Sequence, residues 1–264
     1  KSTDYGDDKD RVVIRDNGVP TYLAADIAYH KNKYDRGFNS LINIWGADHH
    51  GYVARVKAAM AALGYDPEKL EILLLQMVSL FRDGKPVKMS KRTGQAITLN
   101  ELIEEVGADA ARYFFIMRSL DTQLDFDLDL AKSHSNENPV YYIQYAHARI
   151  YSIYRQVQEA GDELDMNWAD VQWAKLKDEQ ELELIKKMAA FPEEIQRAAR
   201  ERAPHRIAHF AHELAGLFHT FYNHCRIIQE DKELEKARLA LVTAVRITIA
   251  NSLAILGVSA PEKM

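Results

Sequence analysis

The chain has 264 residues, 47% of them hydrophobic, and 34 basic side chains against 39 acidic ones give a formal net charge of −5. That apolar fraction supports a packed core and excludes a disordered chain, while the net acidity argues against a non-specific nucleic-acid coater without excluding a locally basic RNA site. The lone Cys225 excludes a disulfide framework and a four-thiolate zinc centre; no run of about 18 apolar residues exists, so neither a membrane span nor a secretory leader is expected, and a cytoplasmic setting is.

Residues 1–10 are polar and carry no initiating methionine, as if the chain were cut inside a longer protein. Residues 11–15 (RVVIR) predict a short strand, and Asp16-Asn17-Gly18 a turn. Thr21 is placed to cap a helix over 22–33. Tyr22 and Asp26 share a face of that helix, either bonded to each other or forming a polar clamp for a cationic ligand.

Residues 40–45 (SLINIW) predict an apolar strand that runs into Gly46-Ala47-Asp48-His49-His50-Gly51 and then a helix over 52–63. A strand, a glycine-bearing turn and a helix N-terminus are how open α/β sheets place ligands at strand ends, with a preference for phosphate or carboxylate. Adjacent histidines on a turn diverge and no third ligand stands at metal-like spacing, so no metal site is expected. Residues 70–80 (LEILLLQMVSL) predict one buried strand.

Residues 81–98 (FRDGKPVKMSKRTGQAIT) set Arg82, Lys85, Lys88, Lys91 and Arg92 against a single acid, Asp83. Two glycines and a proline argue against a regular helix, and the stretch reads as a mobile cationic loop. Such a loop suits a polyanion whose charge grows during a reaction. Thr98 or Asn100 caps a helix to 105, and a second helix over 108–118 puts Tyr113, Phe114 and Phe115 in the core. Asp125, Asp127 and Asp129 alternate as a solvated acidic edge; the glycine and distal glutamate of a calcium loop are missing.

Polar residues 133–139 mark a domain boundary. Beyond it the pattern is helical throughout, with helices expected over 140–160, 177–190, 192–202, 205–229 and 233–256, Pro192 and Pro204 near two of the starts, and a loop or short helix around Trp168 and Trp173. Tyr142, Tyr145 and Arg149 fall on one face, as do Tyr222 and Arg226. Such aromatic and guanidinium stripes serve either packing or unstacked RNA bases, and periodicity does not choose between them.

Read together, Asp7-Asp8-Lys9-Asp10-Arg11-Val12, TYLAADIAYH (21–30), WGADHHGY (45–52), VKMSKR (87–92), LDFDLDLAKS (124–133) and NPVYYIQYAHAR (138–149) resemble, in order, the carboxyl-terminal half of bacterial arginyl-tRNA synthetases. The ending LGVSAPEKM resembles that family's terminus, which makes Met264 the expected end. The resemblance implies an α/β remnant of a Rossmann-like catalytic domain over 1–135, followed by an all-α helical-bundle, DALR-type anticodon-binding domain over 136–264. It implies that Tyr22, Asp26 and His50 bind arginine. Gly46, Asp48, His49, Met77, Val78, Lys88, Met89, Ser90 and Lys91 would meet ATP, with Lys88 and Lys91 as the catalytic cations. Tyr142, Tyr145, Arg149, Tyr222 and Met264 would surround the anticodon. Implied partners are L-arginine, tRNA(Arg) and ATP, which brings Mg2+ with it as substrate; no tightly bound metal and no membrane are expected, and the complete enzyme would be a monomer. The first nucleotide motif of the family, of the HIGH type, is absent from this sequence, so the piece alone is expected not to aminoacylate. A tRNA-binding module without catalysis, a class I synthetase for another amino acid, and a structural scaffold are the alternatives.

Overall fold

The computed structural model describes residues 1–87, 97–161 and 167–264. They form two compact units: Lys1–Val78 with Leu120–Gln123, and Ser79–Ser119 with Leu124–Met264.

The first unit is built on two parallel strands, β1 (Leu41–Gly46) and β2 (Leu70–Leu75), paired from Leu41 opposite Leu70 to Gly46 opposite Leu75. Parallel neighbours need a crossover, which α2 (Val53–Ala62) supplies after a short 3-10 turn over Ala47–Tyr52. Leu41, Val56, Met60 and Leu70 make the core, with Ile27 and Tyr34 of α1 (Tyr22–Asp35) packed on it. The opposite face of β1 is open: Ile42 is 43% and Ile44 64% exposed. The chain start is ordered despite its polarity. Asp7 is buried and accepts from Arg11 Nε at 2.8 Å, a pairing that holds its carboxyl well below the usual carboxylate range.

The expected strand over 11–15 is reduced to one bridge, between Ile14 and Pro20. Thr21 stands at the N-cap of α1 but does not cap with its side chain, which instead donates to the Val12 and Val13 carbonyls. The single strand expected over 70–80 is two. The chain leaves β2 at Leu75, Gln76 N–H donates to Leu120 O, and β3 (Val78–Arg82) joins a different sheet.

That second sheet, in the second unit, has the order β4-β3-β5, with β4 at Lys85–Pro86 and β5 at Leu124–Asp127. Asp83 and Gly84 join β3 to β4 with φ of 50° and 67°, the signature of a type I′ hairpin, which Asp-Gly supports. Asp83 N–H donates to Asp129, so the hairpin is tied down. Thr98 and Glu101 form a reciprocal capping box on α3 (Leu99–Val106). α4 (Ala108–Ile116) buries Tyr113 and Phe114 but leaves Phe115 37% exposed, so the expected aromatic trio is a buried pair and a rim residue. The three alternating aspartates do not form one acidic edge. Asp127 caps α5 (Leu128–Lys132), while Asp129 serves the hairpin and faces Lys132.

Asn138 is buried, caps α6 (Pro139–Glu159), and donates to the Ala131 and Ser133 carbonyls. α7 (Glu179–Ala189), α8 (Phe191–Glu201), α9 (His205–His224) and α10 (Lys232–Leu256) complete the bundle. α10 is long and apolar enough, by length and composition, to cross a membrane. Here it is a core helix, packed on α6, α7 and α9. α9 stops at His224 rather than 229. Cys225 turns extended, Cys225 and Ile227 bury their side chains, and Arg238 rather than a helical N–H takes the Arg226 carbonyl. Burial raises the Cys225 thiol to about 11, which suits a packing role. Gly257 ends α10 at φ 68°, where the Arg112 guanidinium, bonded to Leu256 O, leaves no room for a side chain.

Candidate functional site

In the first unit the candidate ligand groups gather at the C-terminal end of β1 and on the exposed face of α1. Tyr22 is 84% exposed and Asp26 half-buried; among the described residues no hydrogen bond joins them, so they are not the self-bonded pair that one reading allowed. Gly46 ends β1, and a Cβ there would stand 2.5 Å from Asp48 Oδ1, so the missing side chain is what lets the Asp48 carboxylate lie across the strand end. Asp48 faces His49 Nε2 at 3.6 Å, and the His49 ring lies between Trp45 and Tyr52 at centroid distances of 6.3 and 6.0 Å. His50 is exposed on the same turn. Met77, 68% exposed, and Val78 follow β2 at the point where the chain changes sheet.

Lys88, Met89, Ser90, Lys91 and Arg92 lie outside the described residues. Of the other cations counted in that stretch, Arg82 is already engaged, donating to Glu105 at 2.6 Å beside Lys132 at 2.9 Å, and it contributes no free charge. Lys85 stands exposed on β4.

In the second unit α6 and α9 bring the aromatic residues together. The Arg149 guanidinium carbon stands 4.5 Å from the Tyr145 ring centroid and 4.8 Å from that of Tyr222. Arg149 Nη2 donates to Tyr145 Oη at 2.9 Å, and Nη1 to His219 Nδ1 at 3.3 Å. His219 Nε2 faces the Tyr142 carbonyl at 3.4 Å, so its proton belongs there and Nδ1 is the acceptor. Burial lowers His219 to about 4, with the Arg149 charge acting in the same direction. Tyr142 packs on His219 at 4.6 Å, and burial raises its phenol. Tyr142, Tyr145, Arg149 and His219 line a cavity of about 360 Å³ together with Asn136, Thr220 and Asn223. Four rings continue as a near-parallel series: His134 on Tyr141 at 5.6 Å, Tyr141 on Tyr145 at 6.0 Å, and Tyr145 on His219 at 6.0 Å. Base-sized π faces beside a guanidinium are what an unstacked RNA strand stacks on.

Met264 is not in that cluster. It lines a larger hollow of about 920 Å³ with His134, Tyr141, Gln144 and Asp109. The chain end is pinned along α6, Gln144 donating to Ser259 O at 3.0 Å and His147 Nδ1 to Pro261 O at 2.8 Å. Tyr141 therefore belongs to both arrangements, lining the Met264 hollow and stacking on Tyr145. Arg226, expected beside Tyr222, lines with it a further hollow of about 510 Å³. His134, Tyr141 and His219 are additions to the predicted set. His219 was within reach of the same reasoning, since it stands three residues before Tyr222 on one helical face.

Residues 2–119 match the model of the class I (R) tRNA synthetase catalytic domain, and residues 143–264 that of the DALR anticodon binding domain. An arginine–tRNA ligase of Carboxydothermus hydrogenoformans is 63% identical over 98% of this chain and 46% of its own length. The chain belongs to the arginyl-tRNA synthetase family. A solved structure from Campylobacter jejuni, assigned as an arginyl-tRNA synthetase, superposes with a TM-score of 0.89 at 42% identity, covering 100% of this chain and 56% of that one. The arginyl-tRNA synthetase of Thermus thermophilus gives 0.76 at 25% identity, over 96% and 51%. The chain thus spans about half the length of the family members it matches. Against this family background, the β1 end and α1 face fall within the catalytic match, and the Tyr145–Arg149–Tyr222 cluster within the anticodon-binding match.

Proposed function

We propose that this chain is the carboxyl-terminal half of an arginine–tRNA ligase, with residues 1–135 completing a class I catalytic domain and 136–264 gripping the anticodon. The observation that carries this is the succession of the two family matches in one chain, with a ready-made aromatic–guanidinium cluster in the second. In the reaction, the arginine carboxylate attacks the α-phosphate of ATP to give arginyl-adenylate and pyrophosphate. A ribose hydroxyl of the terminal adenosine of tRNA(Arg) then attacks the adenylate carbonyl and releases AMP.

No covalent enzyme intermediate is needed, so the work is positioning and charge stabilisation. The Asp26 carboxylate opposes the substrate guanidinium, with Tyr22 and His50 beside it. Gly46, Asp48, His49, Met77 and Val78 receive the nucleotide, and Lys88, Met89, Ser90 and Lys91 its triphosphate, which brings Mg2+ as part of the substrate. Lys88 and Lys91 neutralise the departing pyrophosphate. Tyr142, Tyr145, Arg149 and Tyr222 stack and orient anticodon bases, and Met264 bounds the neighbouring hollow. The complete enzyme works as a cytoplasmic monomer with no membrane attachment.

The piece alone holds RNA without activating arginine, because the upstream nucleotide motif is not in this sequence. Arginine-dependent pyrophosphate exchange with tRNA(Arg) present tests both parts. The complete enzyme containing this half turns over, and this chain does not. Exchange by the complete enzyme with a different amino acid, and none with arginine, would overturn the substrate; exchange by this chain would overturn the division of labour.

A further inference from the structure

α1 carries Tyr22 and Asp26, and what holds it against β1 includes a polar pair buried in an otherwise apolar contact. His30 is 2% exposed and Asn43 7%. His30 Nδ1 lies 2.7 Å from the main-chain carbonyl of Asp26, one turn earlier, and Nε2 lies 2.6 Å from Asn43 Nδ2. A carbonyl can only accept, so the proton sits on Nδ1 and Nε2 offers its lone pair to the Asn43 amide. Asn43 Oδ1 in turn accepts from Lys33 Nζ at 3.3 Å, and that ammonium stands 4.2 Å over the Tyr29 ring. Both ring nitrogens are satisfied, and the chain of bonds runs from the Asp26 backbone into the middle of β1.

Leucine and valine would fill this space without burying polar groups, and they would let the helix slide or roll by fractions of an ångström. Directional bonds between buried side chains do not permit that. The same α1 turn that His30 holds by its carbonyl carries the Asp26 side chain, and the strand that Asn43 belongs to ends at Gly46. We infer that His30 and Asn43 are positioning residues, a bracket that fixes the roll and slide of α1 on β1 and thereby sets where the Asp26 carboxylate stands relative to the nucleotide end of the strand. This rests on the reading of Asp26 as the arginine contact.

The test is the double variant His30→Leu/Asn43→Val in the complete enzyme, since replacing both partners with apolar groups orphans neither of them, and the half-exposed Lys33 ammonium turns to water. The KM for arginine is expected to rise about tenfold, with kcat and the KM for ATP within about twofold of the parent, because misplacement acts on the one substrate that Asp26 faces. The melting temperature is expected to stay within a few degrees. A folded double variant with an unchanged arginine KM overturns the inference. Should the double variant fail to fold, Asn43→Ser decides by the same two Michaelis constants: a rise for arginine alone supports the bracket, and no rise removes it. Asp26→Asn is measured alongside. An unchanged arginine KM there sinks the arginine reading itself, whereas a rise there with none in the bracket variants sinks the bracket alone.

Discussion

In the first unit the α1 candidates Tyr22 and Asp26 stand apart from one another, whereas in the second the candidate groups are already in contact. Tyr22 projects into solvent, Asp26 is not bonded to it, and the outer face of β1 presents Ile42 and Ile44 to water. Tyr145, Arg149, Tyr222 and His219 instead hold each other by rings and hydrogen bonds. Preorganised groups lose little entropy on binding, while dispersed ones must be ordered by ligand or by further protein. A parallel sheet covered on one side is also unusual, because such sheets are normally buried on both faces. The comparison teaches that the second unit holds its candidate groups preassembled, whereas the first holds Tyr22 and Asp26 apart beside an open sheet face.

The largest effect that would sharpen this contrast lies in the lysine stretch. Lys91→Ala in the complete enzyme is expected to slow adenylate formation by about 10²–10³-fold and to leave tRNA affinity within about twofold. Equal losses in both would turn the stretch into an RNA contact and erase the separation of the residues proposed for catalysis from those proposed to hold RNA. Next in size, Tyr145→Ala removes a stacking face and the Arg149 acceptor. It is expected to weaken tRNA(Arg) binding by about 10–100-fold with the Michaelis constants for arginine and ATP unmoved. Unfolding of that variant, seen by circular dichroism, would make the ring a packing element.

A smaller effect is expected from pH. His219 titrates at about 4 in the folded chain against an ordinary value of 6.5, because burial disfavours its charged form. The unfolded chain therefore takes up the proton first. The stability tied to a neutral His219 is intact above 6.5, drains as pH falls from 6.5 to 4, and amounts to about 3 kcal/mol in all. Burial lowers His147 and His212 in the same direction, so His219→Gln is expected to flatten the acid slope of the melting temperature rather than abolish it. A slope unchanged by that substitution would place the acid sensitivity elsewhere. The smallest effect belongs to the open sheet face. Ile44→Ser is expected to change the stability of this chain by less than about 0.5 kcal/mol, as for an exposed site away from structural features, and chemical denaturation measures it. A loss of several times that would mean the face is already packed.

What the sequence conveyed follows from how local each signal is. Helices α6, α7, α8 and α10 were legible within a residue or two, because their apolar stripes and caps lie in consecutive residues. The run over 70–80 misled because an unbroken apolar stretch carries no mark of where a strand changes sheet. The end of α9 carries no local mark, because residues 225–227 leave the helix to bury Cys225 and Ile227, with the Arg226 carbonyl taken by Arg238. The Asp-Gly pair at 83–84 is a hairpin signal that the surrounding lysines and the proline mask as loop. In the site, the stripe of Tyr142, Tyr145 and Arg149 was visible as periodicity, yet whether it packed or bound was not, since that depends on Tyr222 and His219 arriving from another helix. The His30–Asn43 pair joins a helix to a strand across a gap that no pattern in the chain connects.

The most direct test of the account is a titration of this chain with tRNA(Arg) and with the same tRNA carrying an exchanged anticodon, at one fixed salt concentration, because phosphate contacts alone vary steeply with salt. The account predicts saturable binding that weakens by about tenfold or more when the anticodon is exchanged, as loss of base contacts requires. Equal affinity for the two RNAs would contradict it.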